Sequence, residues 1–169
     1  MFNASFHSQT IQTQGAHIHL RCGGRPEAPA LLLLHGYPQT HVMWAGIAPA
    51  LAGHFFVVCA DLRGYGDSSK PTGLEDHSNY SKRAMAQDMV EVMESLGHRR
   101  FFVAGHDRGA RVTHRMALDH PERVRAACLM DIAPTRHMFN STDQTFATAY
   151  YHWFFLIQPD GLPERMIGA

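Results

Sequence analysis

At 169 residues and 45% hydrophobic content the chain is long enough for one domain of ordinary size with a buried core. Fifteen basic side chains balance fifteen acidic ones, and no basic run could track a phosphate backbone, so nucleic acid is excluded as an expected partner. Residues 1–14 lack a cationic segment followed by an apolar core, and no apolar run reaches membrane-spanning length, which points to a cytoplasmic protein without a membrane partner.

The first elements are antiparallel: Thr10–Thr13 and His17–Cys22 flank Gln14-Gly15-Ala16, a tight hairpin. His17 and His19 share one strand face, but two ligands fall short of a metal site, so neither metal nor cofactor is expected. Ala30–Leu34 is a continuous apolar run, as in a strand buried on both faces, and ends in His35-Gly36-Tyr37-Pro38. Helical spacing follows from His41 to Leu51. A second apolar strand, Phe55–Ala60, closes on the turn Asp61-Leu62-Arg63-Gly64-Tyr65-Gly66-Asp67-Ser68-Ser69. Ser81–Leu96 is an amphipathic helix with Met85, Met89, Val92, Met93 and Leu96 on one side and Gly97 as its stop. Phe101–Ala104 is a strand, Ala110–Asp119 a helix, and Val124–Met130 a strand ending at Asp131, with no paired strand expected beyond it. Strand and helix alternate, which predicts an α/β fold: a mostly parallel sheet with helices on both faces. Residues 1–135 form this core, and 136–169 begin an aromatic-rich helical region. Cys22, Cys59 and Cys128, odd in number and set in apolar stretches, are expected as buried thiols in a reducing compartment.

The chemistry concentrates in Gly105-His106-Asp107-Arg108-Gly109-Ala110-Arg111. A β-rich run ends in G-x-D-x-G and enters a helix directly, the arrangement of a nucleophile elbow with Asp107 where many hydrolases carry serine. The same five residues also fit a glycine-bounded loop with a solvated Asp. A carboxylate nucleophile displaces a leaving group from sp³ carbon and leaves an alkyl ester that activated water must hydrolyse. Arg108 and Arg111, three apart at a helix start, lie on one face and can grip a planar carboxylate in a forked, charge-assisted way. The plainer alternative is a pair of solvated surface arginines. Asp131 ends a strand and either serves the site or caps the turn before Ile132-Ala133-Pro134. Tyr150 to Phe155, with His152 and Trp153, reads as aromatic core on its own terms.

HGYP, DLRGYGDSS, GHDRGAR, DHPERV, DIAPT and YHWFF, in this order, resemble the α/β-hydrolase superfamily and, within it, the fluoroacetate (haloacetate) dehalogenases. The resemblance implies an α/β-hydrolase fold, cut before its last strands and carrying the start of a helical cap in 136–169. It implies Asp107 as nucleophile, Asp131 as triad acid, Arg108 and Arg111 as the clamp on the substrate carboxylate, and His152 with Trp153 in the halide pocket. The backbone amides of Tyr37 and Arg108 would form the oxyanion hole. The expected partner is a small haloacid, and a homodimer is the expected assembly. The family's base histidine, and a tyrosine completing the halide pocket, fall beyond Ala169. His137 and His152 lie in the cap region and are poor substitutes, so residues 1–169 by themselves are expected to stop at the ester. Two other readings compete: an epoxide hydrolase or haloalkane dehalogenase, which shares the Asp nucleophile but usually has Trp where this chain has Arg108, and a catalytically incomplete fragment lacking the base His.

Overall fold

A computed structural model describes residues 2–168 of the chain. They divide into two compact units, Met1–Ile132 and Ala133–Ala169. The first holds a six-stranded sheet of β1 (His7–Gln12), β2 (His17–Gly23), β3 (Ala30–Leu34), β4 (Phe56–Ala60), β5 (Phe101–His106) and β6 (Val124–Met130), in the spatial order β1-β2-β4-β3-β5-β6. The hairpin β1–β2 and the pair β2–β4 are antiparallel, whereas β3–β4, β3–β5 and β5–β6 are parallel. β3 thus has its sequence successor β4 on one side and β5 on the other. Such a reversal of strand order opens a crevice outside the carboxyl ends of the two strands that flank it. His35 follows β3 there, and Asp107 follows β5.

Alternate residues of the central strands feed two cores, because successive side chains point to opposite faces. Leu32, Leu34, Val58 and Ala60 pack with Met85, Met89, Val92, Met93, Val112 and Met116 from α2 (Lys82–Ser95) and α3 (Arg108–Asp119). Leu31, Leu33, Val57 and Cys59 pack on the other face with Trp44 and Ala48. His41–Leu51 is not one continuous helix: His41–Gly46 is a 3-10 segment and only Ala48–Leu51, α1, is α-helical. Pro49 explains the break, since it cannot donate the backbone hydrogen bond that continuation requires. Ser81 caps α2 by accepting from the Ala84 amide at 3.2 Å.

α2 also buries a charge. Asp88 sits on its apolar stripe at 1% exposure and receives both Nε and Nη2 of Arg63, itself 4% exposed, at 2.6 and 2.7 Å. The Thr13 hydroxyl donates to the same carboxylate at 2.6 Å, and the remaining Arg63 nitrogen, Nη1, donates to the Asn79 carbonyl at 2.6 Å. The arginine of the DLRG turn is therefore structural.

β6 occupies one sheet edge, and its interior residues from Arg125 to Leu129 are exposed. Cys128 lies among them, which corrects the expectation of three buried thiols; Cys22 and Cys59 are buried. In the second unit the aromatic run is two short helices, α5 (Gln144–Ala149) and α6 (Tyr151–Phe155), hinged at Tyr150, between α4 (Thr135–Asn140) and α7 (Leu162–Ile167). Among the described residues no helix is long and apolar enough to cross a membrane.

Removing one partner of a buried ion pair leaves an uncompensated charge, at a cost of about 3–5 kcal/mol. Asp88→Ala is expected to lower unfolding stability by about that amount in urea titration, and substantially more than Gln87→Ala at an exposed position of α2.

Candidate active site

The site is built around the turn from β5 into α3. Asp107 has φ 48° and ψ −114°, a conformation that costs a side-chain-bearing residue of order 1–3 kcal/mol and persists only where the surroundings enforce it. Two backbone contacts enforce it. The Asp107 amide donates to the Met130 carbonyl at 3.1 Å, tying the turn to the end of β6. A Cβ at Gly109 would overlap the Leu34 and His35 carbonyl oxygens, so only glycine lets α3 begin this close to the end of β3.

The carboxylate is aimed away from its own helix. Asp107 makes no capping hydrogen bond to α3; its Oδ1 instead accepts the Tyr37 amide at 2.8 Å. Gly36 makes room for this approach, because a Cβ there would sit 2.6 Å from the Asp107 Cβ and 2.8 Å from Oδ1. The loop carrying Tyr37 is held by His35, which is fully buried. Its Nδ1 lies 2.8 Å from the Gly36 carbonyl, and its Nε2 accepts the Leu62 amide at 3.1 Å. Those roles require the neutral Nδ1-protonated ring, and burial lowers the His35 pKa in the direction that keeps it neutral. His35 thus links the loop after β3 to the DLRG turn. That turn is pinned by Asp61, which accepts the His41 and Asp67 amides at 2.6 and 2.9 Å and bonds the His41 ring at 2.9 Å. Burial would raise the Asp61 carboxyl, and these hydrogen bonds outweigh it to hold the pKa below its ordinary value.

Two arginines follow the carboxylate on the first turn of α3. Arg111 is buried and Arg108 half-buried. Burial and the neighbouring Arg108 charge lower the Arg111 pKa, while Asp107 opposes them. Tyr65 stands in the field of Asp107, Arg108 and Tyr37, and burial pushes its hydroxyl above the ordinary range. Tyr37 itself is exposed, so its part in the site is played by its amide.

Asp131 follows β6, also has a left-handed φ, 59°, and its side chain is 83% exposed. Register places it beside the elbow, since His106 pairs with Met130. The imidazole next to it is His106, with Nε2 at 3.6 Å from Oδ2. His106 directly precedes the elbow Asp and is not among the site residues expected from the sequence. Five of the seven expected site residues, Tyr37, Asp107, Arg108, Arg111 and Asp131, therefore belong to the first unit. His152 and Trp153 belong to the second, adjacent on α6, with the Trp153 ring 5.9 Å from Phe139 and 6.2 Å from Tyr150. His152 is exposed and Trp153 half-buried. Among the described residues no group of three His, Cys, Asp or Glu side chains could hold a metal ion.

Sheet topology, elbow and HG loop define a hydrolase scaffold, and residues 29–165 match the family model described as the alpha/beta hydrolase fold. The chain belongs to the α/β-hydrolase fold family. It is 54% identical over 164 residues to a fluoroacetate dehalogenase of Burkholderia sp, covering 97% of this chain and 53% of that protein. It is 40% identical over 104 residues to a soluble epoxide hydrolase of Corynebacterium sp., covering 62% of this chain and 35% of that one. A crystal structure from Nostoc sp PCC 7120, described as an α/β hydrolase, shares 63% identity with a TM-score of 0.92 and covers 96% of this chain and 55% of its own. A Pseudomonas aeruginosa structure described as an epoxide hydrolase shares 47% identity with a TM-score of 0.92, covering 100% of this chain and 55% of its own. The chain spans about half the length of the curated relatives it matches.

Overpacking against rigid backbone costs about 1–3 kcal/mol. Gly109→Ala is expected to destabilise the protein by at least that range in chemical unfolding, whereas Gly73→Ala, where an added Cβ meets nothing within 4 Å, stays within about 0.5 kcal/mol.

Proposed function

We propose that the full-length protein is a haloacid dehalogenase acting on a short 2-haloacid such as fluoroacetate through an ester on Asp107. The observation that carries this reading is the pairing of an elbow carboxylate with a buried and a half-buried arginine, Arg111 and Arg108, at the start of the same helix. A neutral epoxide or haloalkane gains little from two guanidinium groups whose desolvation is costly, whereas a haloacid carboxylate is their natural counter-ion. The similarity to a fluoroacetate dehalogenase supports the same choice.

In this mechanism the clamp orients the haloacid so that its α-carbon meets Asp107. With Oδ1 held by the Tyr37 amide, Oδ2 attacks the α-carbon, the carbon–halogen electron pair leaves with the halide, and an Asp107 alkyl ester results. His152 and the donor-only indole N–H of Trp153 are assigned to the departing halide, for which directed donors matter most when it is fluoride. Water, deprotonated by a base histidine that Asp131 orients, then adds to the ester carbonyl. The Tyr37 and Arg108 amides stabilise the tetrahedral oxyanion. Collapse frees the 2-hydroxyacid and restores the carboxylate, with one proton released overall. The resemblance assigns that base to a position beyond Ala169. The substrate is thus a small anion, and the chemistry calls for neither metal nor cofactor.

Relatives described as epoxide hydrolases keep a second reading in view. Purified full-length protein is expected to release halide from fluoroacetate or chloroacetate and to leave styrene oxide unchanged; the opposite pattern would replace the present proposal with the second reading. Arg111→Ala should raise KM about ten- to a hundredfold, the equivalent of losing about 1.5–3 kcal/mol in one charge-assisted contact. Asp107→Asn should abolish turnover without loss of fold. A single turnover in oxygen-18 water with enzyme in excess should place the label in Asp107 and leave the hydroxyacid unlabelled. Label in the product from the first turnover would show direct attack by water.

A further inference from the structure

β5 presents Phe102, Ala104 and His106 to one face of the sheet, because alternate residues of a strand share a side. Phe102 and Ala104 pack against the core on that face, as does Met130, the residue of β6 that pairs with His106. An imidazole is out of place at the end of such a row. Its Nδ1 is buried and, among the described residues, has no hydrogen-bond partner, and an unmet buried polar atom lowers stability. An apolar side chain would fill similar space without that loss. Local choices that work against the fold in this way concentrate where function sets the residue.

The other ring nitrogen shows what the choice serves. Nε2 lies 3.6 Å from Oδ2 of Asp131, within ion-pair reach. Asp131 leaves β6 with φ 59°, and its side chain is 83% exposed, so burial does not fix the direction of its carboxylate. The sheet keeps the two residues together, since His106 pairs with Met130 and the Asp107 amide donates to the Met130 carbonyl at 3.1 Å.

We propose that His106 is a positioning residue for ester hydrolysis, holding the Asp131 carboxylate in the orientation from which it serves the base histidine. This rests on the dehalogenase function proposed above. His106 is not itself the base, because the nitrogen that does not face Asp131 is closed to solvent and cannot take a proton from water. Displacement of halide by Asp107 makes no use of Asp131. Loss of the imidazole therefore divides the reaction into its halves: the ester forms at its usual rate and then persists.

A single turnover of chloroacetate by the full-length protein, with enzyme in excess, resolves those halves. Chloride release reports ester formation, and intact-protein mass after rapid quenching reports ester decay. His106→Leu is expected to leave chloride release within about twofold of wild type and to slow ester decay about tenfold. His106→Gln, whose side-chain N–H can reach the same carboxylate, should restore decay to within about threefold of wild type. In urea titration His106→Leu should be at least as stable as wild type, since the unpartnered nitrogen is gone, whereas a purely structural role predicts the reverse. Should His106→Leu be less stable, His106→Phe takes its place in every comparison, and instability of both overturns the proposal. It is also overturned if the apolar variant slows ester decay less than about fivefold, slows both halves alike, or is matched by His106→Gln. Absence of chloride release from wild type would refute the dehalogenase reading itself; with wild-type release intact, these outcomes refute only the role of His106.

Discussion

Backbone laid against backbone at Gly109 is the contact on which the rest of this site depends. Because α3 starts hard against the Leu34 and His35 carbonyls, the chain leaving β5 has no room to unwind gradually, and Asp107 absorbs the turn in a positive-φ conformation. The same closeness brings the loop after β3 within reach of the carboxylate, so one steric fact fixes the elbow geometry and also supplies the Tyr37 amide that orients it. The strain at Asp107 is balanced by the sheet, since the turn's own amide is anchored on β6.

Around that fixed carboxylate the polar residues divide into two kinds. His35, Asp61 and His41 face inward, are hydrogen-bonded and hold two loops in register. Their pKa shifts favour the states those bonds require: a neutral His35 and an ionised Asp61. Arg108 and Arg111 are a different case, two charges of one sign on the first turn of one helix, where burial and the Arg108 charge both lower the Arg111 pKa.

Much of the first unit was legible from residue patterns. The apolar runs of β3 and β4 and the 3.6-residue stripe of α2 are strong signals, and β3 and β6 have the bounds the pattern suggested. The elbow was legible because small residues must bracket a tight strand-to-helix turn. Other features were not. β5 runs on to His106 and α3 starts at Arg108, since the glycines that weaken both local propensities are the ones the turn needs. Cys128 is exposed because β6 stands at the edge of the described sheet, an edge the sequence did suggest, whereas the apolar setting of the cysteine pointed to burial. Arg63 reaches Asp88 across 25 residues. That contact depends on tertiary placement, although Asp88 interrupting a methionine stripe was a visible sign that its charge must be answered inside the fold.

That buried carboxylate has a wider consequence. Asp88 receives Thr13 from the β1–β2 hairpin turn and Arg63 from the loop after β4, while its own backbone belongs to α2. Three segments remote in sequence therefore share a single buried negative charge. None can open locally without stranding that charge or its guanidinium in a medium that solvates neither. Hairpin, loop and helix are thereby joined into one cooperative unit, and the antiparallel edge of the sheet, which would otherwise fray by itself, is bound to the stability of the helix lying across it.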